Sequence, residues 1–352
     1  MPRVGTLVPI AELMLEGKLV PFLGAGASSF EADQTELDNP PKRGPPTGRK
    51  LLDIIAAEAE LDISCRSCTQ TTHNLAQVAS YYARVAHSRR QLDRRIARLA
   101  GDPTFRPNSL HRLLARVALH HPMLVITTNY DTLLERAFDD AGARYEVVAT
   151  AADLLAYNGV EQDDADTAPA LVGAEAGMIY HRLGEAVDFS AVSPASIRAE
   201  LDDRSLIYKI HGTVAANGDW HGGYLIAEED YVRFLGRMEQ AHICPFAIRN
   251  RLSRKIVLPG GQKSLLHSLL FLGYSLGDWN LRVLLDELGV GRGGQDERHY
   301  AILRNADPVT ERLLEKRNIR VRDADLTRVV ADLEGTLVDL GLPPGPMDAA
   351  AD

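Results

Sequence analysis

The sequence predicts an α/β protein built on a doubly wound parallel sheet. Three observations predict it. Short apolar runs rich in Val, Ile and Leu recur along the chain, and helical patterns lie between them. The first run ends in a glycine turn, Gly24-Ala25-Gly26, with Ser28 just behind. Continuous apolar runs suit strands buried on both faces. Their alternation with helices implies a parallel sheet.

Taken in order, the strand candidates are "KLVPFLG", "PMLVITT", "YEVVAT", "LIYKIHG", "SLLFLGY", "HYAIL" and "NIRVR". Among the helical patterns, "NSLHRLLARVALHH" has Leu110, Leu113, Leu114 and Val117 at helical spacing and Asn108 placed as N-cap. The others are "DTLLERAFDDAG", "DWNLRVLLDELG", "PVTERLLEKRN" and "DLTRVVADLEGTLVDLG". Residues 1–17 read as an N-terminal helix, 18–340 as one domain and 341–352 as a flexible tail. Within the domain, 31–47 is a long Pro- and Gly-rich loop of the kind that forms functional lids. Residues 48–100 read as mainly helical, and 158–204 as an acidic, Ala-rich, partly helical insertion.

The chain has 352 residues, 45% hydrophobic and 25% charged, which is ordinary for a globular protein with a large core. A formal charge of -9 argues against a dedicated nucleic-acid binder. Three cysteines, Cys65, Cys68 and Cys244, fit a reducing compartment better than a disulfide scaffold. Glu12 and Glu16 break any signal-peptide core, and no apolar run is long enough to span a bilayer. The expected location is the cytoplasm.

The candidate chemistry lies at strand ends. Gly24 and Gly26 let the backbone turn tightly and approach a ligand, and a helix starting behind them favours phosphate. The full dinucleotide fingerprint is absent, because Ser29 occupies its third glycine position. In "VITTNYDTLLERAF", Asn129 and Asp131 fall where a strand ends and a helix begins, the ligand-binding edge of a parallel sheet. By itself Asp131 reads as a helix cap, with Thr127 and Thr128 serving strand-end backbone; capping explains Asn129 less easily. His211, before Gly212, closes another strand with its ring open to a ligand and a pKa suited to proton transfer. His111, His120, His121 and His299 read as structural. Gly273, Ser275 and Asp278 occupy a fourth such turn, where Ser275 suits a phosphate or ribose hydroxyl and Asp278 a ribose or a cap.

Two further features stand apart. Cys65-x-x-Cys68 with His73 lacks a fourth ligand nearby, so no metal is expected. The stretch from Arg84 to Arg98, with Arg89, Arg90, Arg94 and Arg95, reads first as the solvated basic face of a helix and second as a docking surface.

Taken together, Gly24-Ala25-Gly26-Ala27-Ser28, Thr127-x-Asn129-x-Asp131 and His211-Gly212, in this order, resemble the sirtuin superfamily. "PNSLHRLLARV" resembles it too. "TTNYDTLLERAF", "YKIHGT" and "GYSLGDWNLR" are similar to a bacterial sirtuin-like branch found in antiphage defence. The resemblance spans most of residues 18–325. It implies a Rossmann-like NAD-binding domain of the sirtuin and deoxyhypusine-synthase type. On it, Gly24, Ala25, Gly26 and Ser28 would hold pyrophosphate and ribose. Asn129 would sit by the nicotinamide ribose, Asp131 near the nicotinamide amide, His211 would act as base, and Ser275 would face the adenosine.

The chain departs from protein-deacylating sirtuins. Beyond His211 it carries only Cys244, so their two zinc-binding Cys pairs are missing, and "EADQTELDNPPKRGPPTGRK" replaces their Gly-Ile-Pro-x-Phe-Arg run. The expectation is therefore an NAD glycohydrolase acting in antiphage defence by NAD depletion. The alternatives are an NAD-dependent deacylase or ADP-ribosyltransferase, or a non-catalytic NAD or ADP-ribose sensor. No sensor domain is evident before residue 18 or after 340. Control is therefore expected from homo-oligomers or from a partner in trans: a HerA-type ATPase, an Argonaute-like protein or another defence subunit.

Overall fold

The seven apolar runs form the seven parallel strands of one sheet. In the computed structural model the described residues are 7–29, 44–61, 74–151, 179–183, 190–192, 196–197, 201, 203–214, 223–238, 245–257, 263–274, 285 and 298–343. In chain order the strands are β1 (Leu19–Leu23), β2 (Leu124–Thr127), β3 (Tyr145–Thr150), β4 (Ile179–Leu183), β5 (Ser190–Val192), β6 (Ser205–Lys209), β7 (Lys255–Val257), β8 (Lys263–Leu265), β9 (Ser268–Leu272), β10 (His299–Leu303) and β11 (Ile319–Asp323). The large sheet has the order β11-β10-β9-β1-β2-β6-β3-β4-β5. Every pair from β11 to β3 is parallel. β4 and β5 add antiparallel strands at one edge. A separate hairpin joins β7 to β8.

The helices are α1 (Val8–Leu15), α2 (Ala25–Ser29), α3 (Gly48–Glu58), α4 (Leu75–Tyr81), α5 (Arg89–Ala100), α6 (Ser109–His120), α7 (Leu133–Ala141), α8 (Glu228–Met238), α9 (Phe246–Ser253), α10 (Pro308–Glu315) and α11 (Leu326–Asp339). Asn108 caps α6 in a reciprocal capping box with His111, and the four apolar residues that predicted this helix are buried. α7 stops at Gly142, which takes a left-handed conformation (φ 71°).

Alternation along each strand sends successive side chains to opposite faces. One face packs Leu23, Val125, Val147, Ile207 and Leu272 against α1, α6, α7 and α11. The other packs Phe22, Ile126, Tyr208 and Phe271 against α8, α9 and α10. α3, α4 and α5 form a third core of their own, closed by Val214, Tyr224 and Ile226 from the chain that follows β6. Where the insertion 158–204 is described it contributes β4 and β5, strands rather than helix. Their sequences, "IYHRL" and "SAV", carry no continuous apolar run.

Several expectations lie outside the described residues. They are the loop from Phe30 to 43, Cys65, Cys68, His73, Cys244, Ser275, Asp278, most of "DWNLRVLLDELG" and the end of the tail. Among the described residues, no helix is long and apolar enough to cross a membrane.

Candidate functional site

The strand order brings the four strand-end motifs together. β9, β1, β2 and β6 are consecutive neighbours. The chain leaves β1 to one side for β2 and later returns to its other side as β9, so the order reverses at β1. Ligands bind at such switch points, beyond the carboxyl ends of the strands. A cavity of about 430 Å³ opens there, bordered by Ala25, Gly26, Asn129, Tyr130, Asp131, His211, Gly273 and Tyr274. That volume suits a small-molecule ligand.

The glycine turn has a structural reason that the sequence did not reveal. Gly24 N–H donates to Leu272 C=O at 3.0 Å, and Gly26 N–H to Gly273 C=O at 2.8 Å. A Cβ on Gly26 would stand 2.8 Å from the Gly273 carbonyl oxygen. One on Gly273 (φ +65°) would stand 2.0 Å from the Ala27 nitrogen. The turns after β1 and β9 interlock backbone to backbone, and only glycine permits that approach. The same absence of side chains leaves Ala25, Gly26 and Gly273 as bare cavity wall.

Asn129 is buried at 8% exposure. Its N–H donates to Thr127 Oγ1 at 3.0 Å, and Thr127 Oγ1 donates in turn to Leu23 C=O at 3.2 Å. The threonine thus serves strand-end backbone as its position suggested. Asn129 Nδ2 donates to Ser28 Oγ at 2.9 Å, while Oδ1 is buried and has no partner among the described residues. Ser28 lies behind the wall, holding Asn129. Asp131 Oδ1 accepts from Leu133 N–H at 3.0 Å, so the cap reading holds in part. Burial raises the Asp131 carboxyl above its usual range, although Lys209 and hydrogen bonds from Leu133 N–H and the Ser28 hydroxyl oppose the shift.

Sequence reasoning missed Lys209 and Glu135. Lys209 Nζ donates to the Asp131 carbonyl oxygen and to Glu135 Oε1 (2.7 Å), with both side chains almost fully buried. Lys209, two residues before His211, thus ties the β6 end to Asp131, two residues after Asn129, and to Glu135 of α7. The available signal was a lone cation inside an apolar strand. His211 stands edge-on to Tyr231 of α8, with ring centroids 5.6 Å apart. Gly212 (φ +94°) passes so close to the Gly223 carbonyl that a Cβ would lie 2.8 Å from it.

The opposite wall is mainly apolar, formed by Leu51, Leu75, Ile96 and Leu99 of the helical segment with Pro45 and Pro46 from the end of the 31–47 loop, and Thr47 and Arg49 border it at the start of α3. Arg89 anchors it. Its guanidinium donates to Asp93, to Asp230 Oδ1 at 2.6 Å and to Tyr224 C=O at 2.7 Å. Asp230 Oδ2 accepts from Ile226 and Ala227 N–H at 3.1 and 2.9 Å. Tyr130 OH donates to Leu225 C=O at 2.8 Å, and burial together with the Asp230 carboxylate keeps that phenol protonated. The basic stretch is therefore only partly a solvated face. Arg89 and Arg95 are half-buried in ion pairs, and Arg84 pairs with Glu229. Arg90, Arg94 and Arg98 are exposed.

No cluster of three or more His, Cys, Asp or Glu side chains suited to a metal occurs among the described residues. His299 is structural, accepting from Leu269 N–H at 3.0 Å on Nδ1.

Fold and site together define a Rossmann-like α/β protein with a crevice at its topological switch point. A family model for the SIR2-like domain matches residues 123–322, more than half of the chain, and the protein belongs to that family. Membership implies NAD-dependent, sirtuin-type chemistry. No curated protein matches the chain. One solved structure, described as "Structural Basis for the Mechanism and Regulation of Sir2 Enzymes", aligns with 95% of this chain and 98% of its own, at 11% identity and a TM-score of 0.38.

Proposed function

We propose that this protein is an NAD glycohydrolase, cleaving the nicotinamide–ribose bond to nicotinamide and ADP-ribose. One observation carries the reading. Asn129, whose buried Oδ1 has no partner among the described residues, lines the same cavity as His211. A buried unpaired carbonyl costs free energy unless a ligand or water hydrogen-bonds to it. Ribose hydroxyls and water both bring the donor it lacks. The bare backbone of Gly26 and Gly273 leaves room for the diphosphate, and Asp131 lies beside Asn129. Outside the described residues, Ser275 stays assigned to the adenosine side and Asp278 to a ribose or a helix cap.

When bound, NAD supplies a leaving group that is already cationic. The protein's own tasks are to position, to deliver water and to accept a proton. Asn129 Oδ1 orients the water or a ribose hydroxyl. His211 takes the proton, its ring held by Tyr231. The apolar wall keeps other water out, which strengthens each polar contact inside. Water is the acceptor because the chain lacks the zinc cysteines and the Gly-Ile-Pro-x-Phe-Arg run of acyl-lysine enzymes. The test is nicotinamide release from NAD, with and without a candidate partner. His211→Ala and Asn129→Ala should abolish it, and unchanged turnover in both would sink the assignment.

The apolar wall favours a second reading, in which an acyl-lysine or an acceptor protein replaces water. Its mark is NAD consumption that depends on such an acceptor. A sensor subunit would bind NAD and never turn it over.

An unregulated NADase is toxic. We place the protein in the cytoplasm as an antiphage effector, held in check by homo-oligomerisation or by a partner such as a HerA-type ATPase. A fully active monomer would remove that part of the proposal.

A further inference from the structure

The run "PNSLHRLLARV" shares in the family resemblance, yet no step of the reaction uses it. His111 lies within it, at 1% exposure. It is on the helix that packs behind the cavity, and its two ring nitrogens have different partners. Asn108 N–H donates to Nδ1 at 3.3 Å, in the capping box that starts α6. A backbone N–H can only donate, so Nδ1 carries the lone pair and the neutral ring carries its proton on Nε2. Nε2 faces Ser28 Oγ at 3.4 Å.

The direction of every later bond follows. Ser28 Oγ accepts from His111 Nε2–H and from Asn129 Nδ2–H, which uses both of its lone pairs. Its one proton is left to donate, and Asp131, whose side chain hydrogen-bonds to the Ser28 hydroxyl, accepts it when ionised. Asn129, which lines the cavity, must then turn its nitrogen to Ser28 and its buried oxygen away from it. With the amide turned over, Ser28 would need a second proton to give, and it has none.

We propose that His111 is a positioning residue for Asn129. The capping box of α6 sets the His111 tautomer, and through Ser28 that tautomer presents Asn129 Oδ1, rather than Nδ2, to the ligand. The site thereby selects ligands and waters that offer an O–H or N–H at this point. The orientation holds whatever the reaction is; only its effect on turnover rests on the NAD glycohydrolase reading.

Two measurements test it on the full chain. The first is the ¹⁵N spectrum of histidine-labelled protein near neutral pH, with the His111 signals identified by their loss in His111→Gln. A neutral ring protonated on Nε2 is expected; an Nδ1–H ring or an imidazolium overturns the proposal. This readout needs no activity, so it stands even if NAD is not the substrate. The second compares His111→Gln with His111→Leu in NAD cleavage, each checked for wild-type melting. Glutamine can accept the capping N–H, as Gln77 does for Asn74 in α4, and still has amide N–H groups for Ser28. His111→Leu should lower kcat by about 30- to 100-fold with little change in KM. His111→Gln should recover at least about a third of wild-type kcat, by the same reasoning. Equal kcat in two well-folded variants overturns the positioning role.

Discussion

The two walls of the cavity are built on different physics. The sheet wall carries Asn129 and Asp131 on the turn after β2 and His211 on the turn after β6, with backbones fixed by neighbouring strands. Asn129 and Asp131 are buried and His211 half-buried, and among the described residues Asn129 Oδ1 is left without a partner. The helical wall carries Leu51, Leu75, Ile96 and Leu99, which offer no polar group to the cavity. It is joined to the rest by Val214, Tyr224 and Ile226, which close its core, and by Arg89, whose partners Tyr224 and Asp230 belong to the chain that follows His211. On the proposed function, chemistry falls where position is dictated by the sheet, and water exclusion falls to the helical wall.

This contrast can be broken from either side. Removing the functional groups of the sheet wall should have the largest effect on turnover and a small one on stability. For Asn129→Ala and His211→Ala we expect nicotinamide release to fall by about 10²–10⁴-fold, with melting temperature nearly unchanged. Arg89→Leu should do the reverse. It leaves Asp230, 1% exposed, as a buried carboxylate without its main cation, at a cost of about 3–5 kcal/mol in urea unfolding. Arg89→Leu combined with Asp230→Leu should regain part of that loss. It should not regain all of it, because Ile226 and Ala227 N–H lose their acceptor.

Smaller changes sharpen the comparison. Ile96→Val trims the apolar wall by one methylene and should cost about 0.5–1.5 kcal/mol, with little change in kcat. Asp131→Asn probes the sheet wall through pH. Burial raises this carboxyl above 3.8, so the folded state holds the proton more tightly than the unfolded state. That contribution to stability is full below 3.8 and is lost as pH rises through the higher folded value. The melting difference between Asp131→Asn and wild type should therefore move in favour of the variant from pH 4 to 7. The smallest effect is expected at His267, at the opposite, amino end of β9. Burial, aided by Arg251, Arg254 and Lys18, lowers it to about 4. Its contribution is present above 6.5 and is lost as pH falls from there toward 4. His267→Gln should flatten that acid limb of the melting curve and leave NAD cleavage alone.

Much of the fold was legible. Strands buried on both faces are apolar throughout, so "KLVPFLG" and its central counterparts were visible without any partner. β4 and β5 were not, because their polar residues break any apolar run. At the site, Asn129, Asp131 and His211 were legible as polar residues placed where apolar strands end. Lys209 and Glu135 were missed because a charge in a strand shows its reason only beside its partner, 74 residues away in sequence. Arg89 was hidden among neighbouring arginines that share its helix. Its burial depends on Asp230, 141 residues distant.

The sequence by itself determined which segments become strands and helices, because hydrophobic period, caps and glycine turns act within a few residues. It also determined which strand ends carry polar groups. Only the tertiary structure decided that β9, β1, β2 and β6 are neighbours, which turns four ordinary turns into one cavity. It also decided which way each hydrogen bond runs. His111 and Asn108 are close in sequence, but Ser28 lies 83 residues from His111 and Asn129 lies 101 from Ser28. A proton's direction along that chain is set by the partners that packing supplies, and no local pattern encodes it.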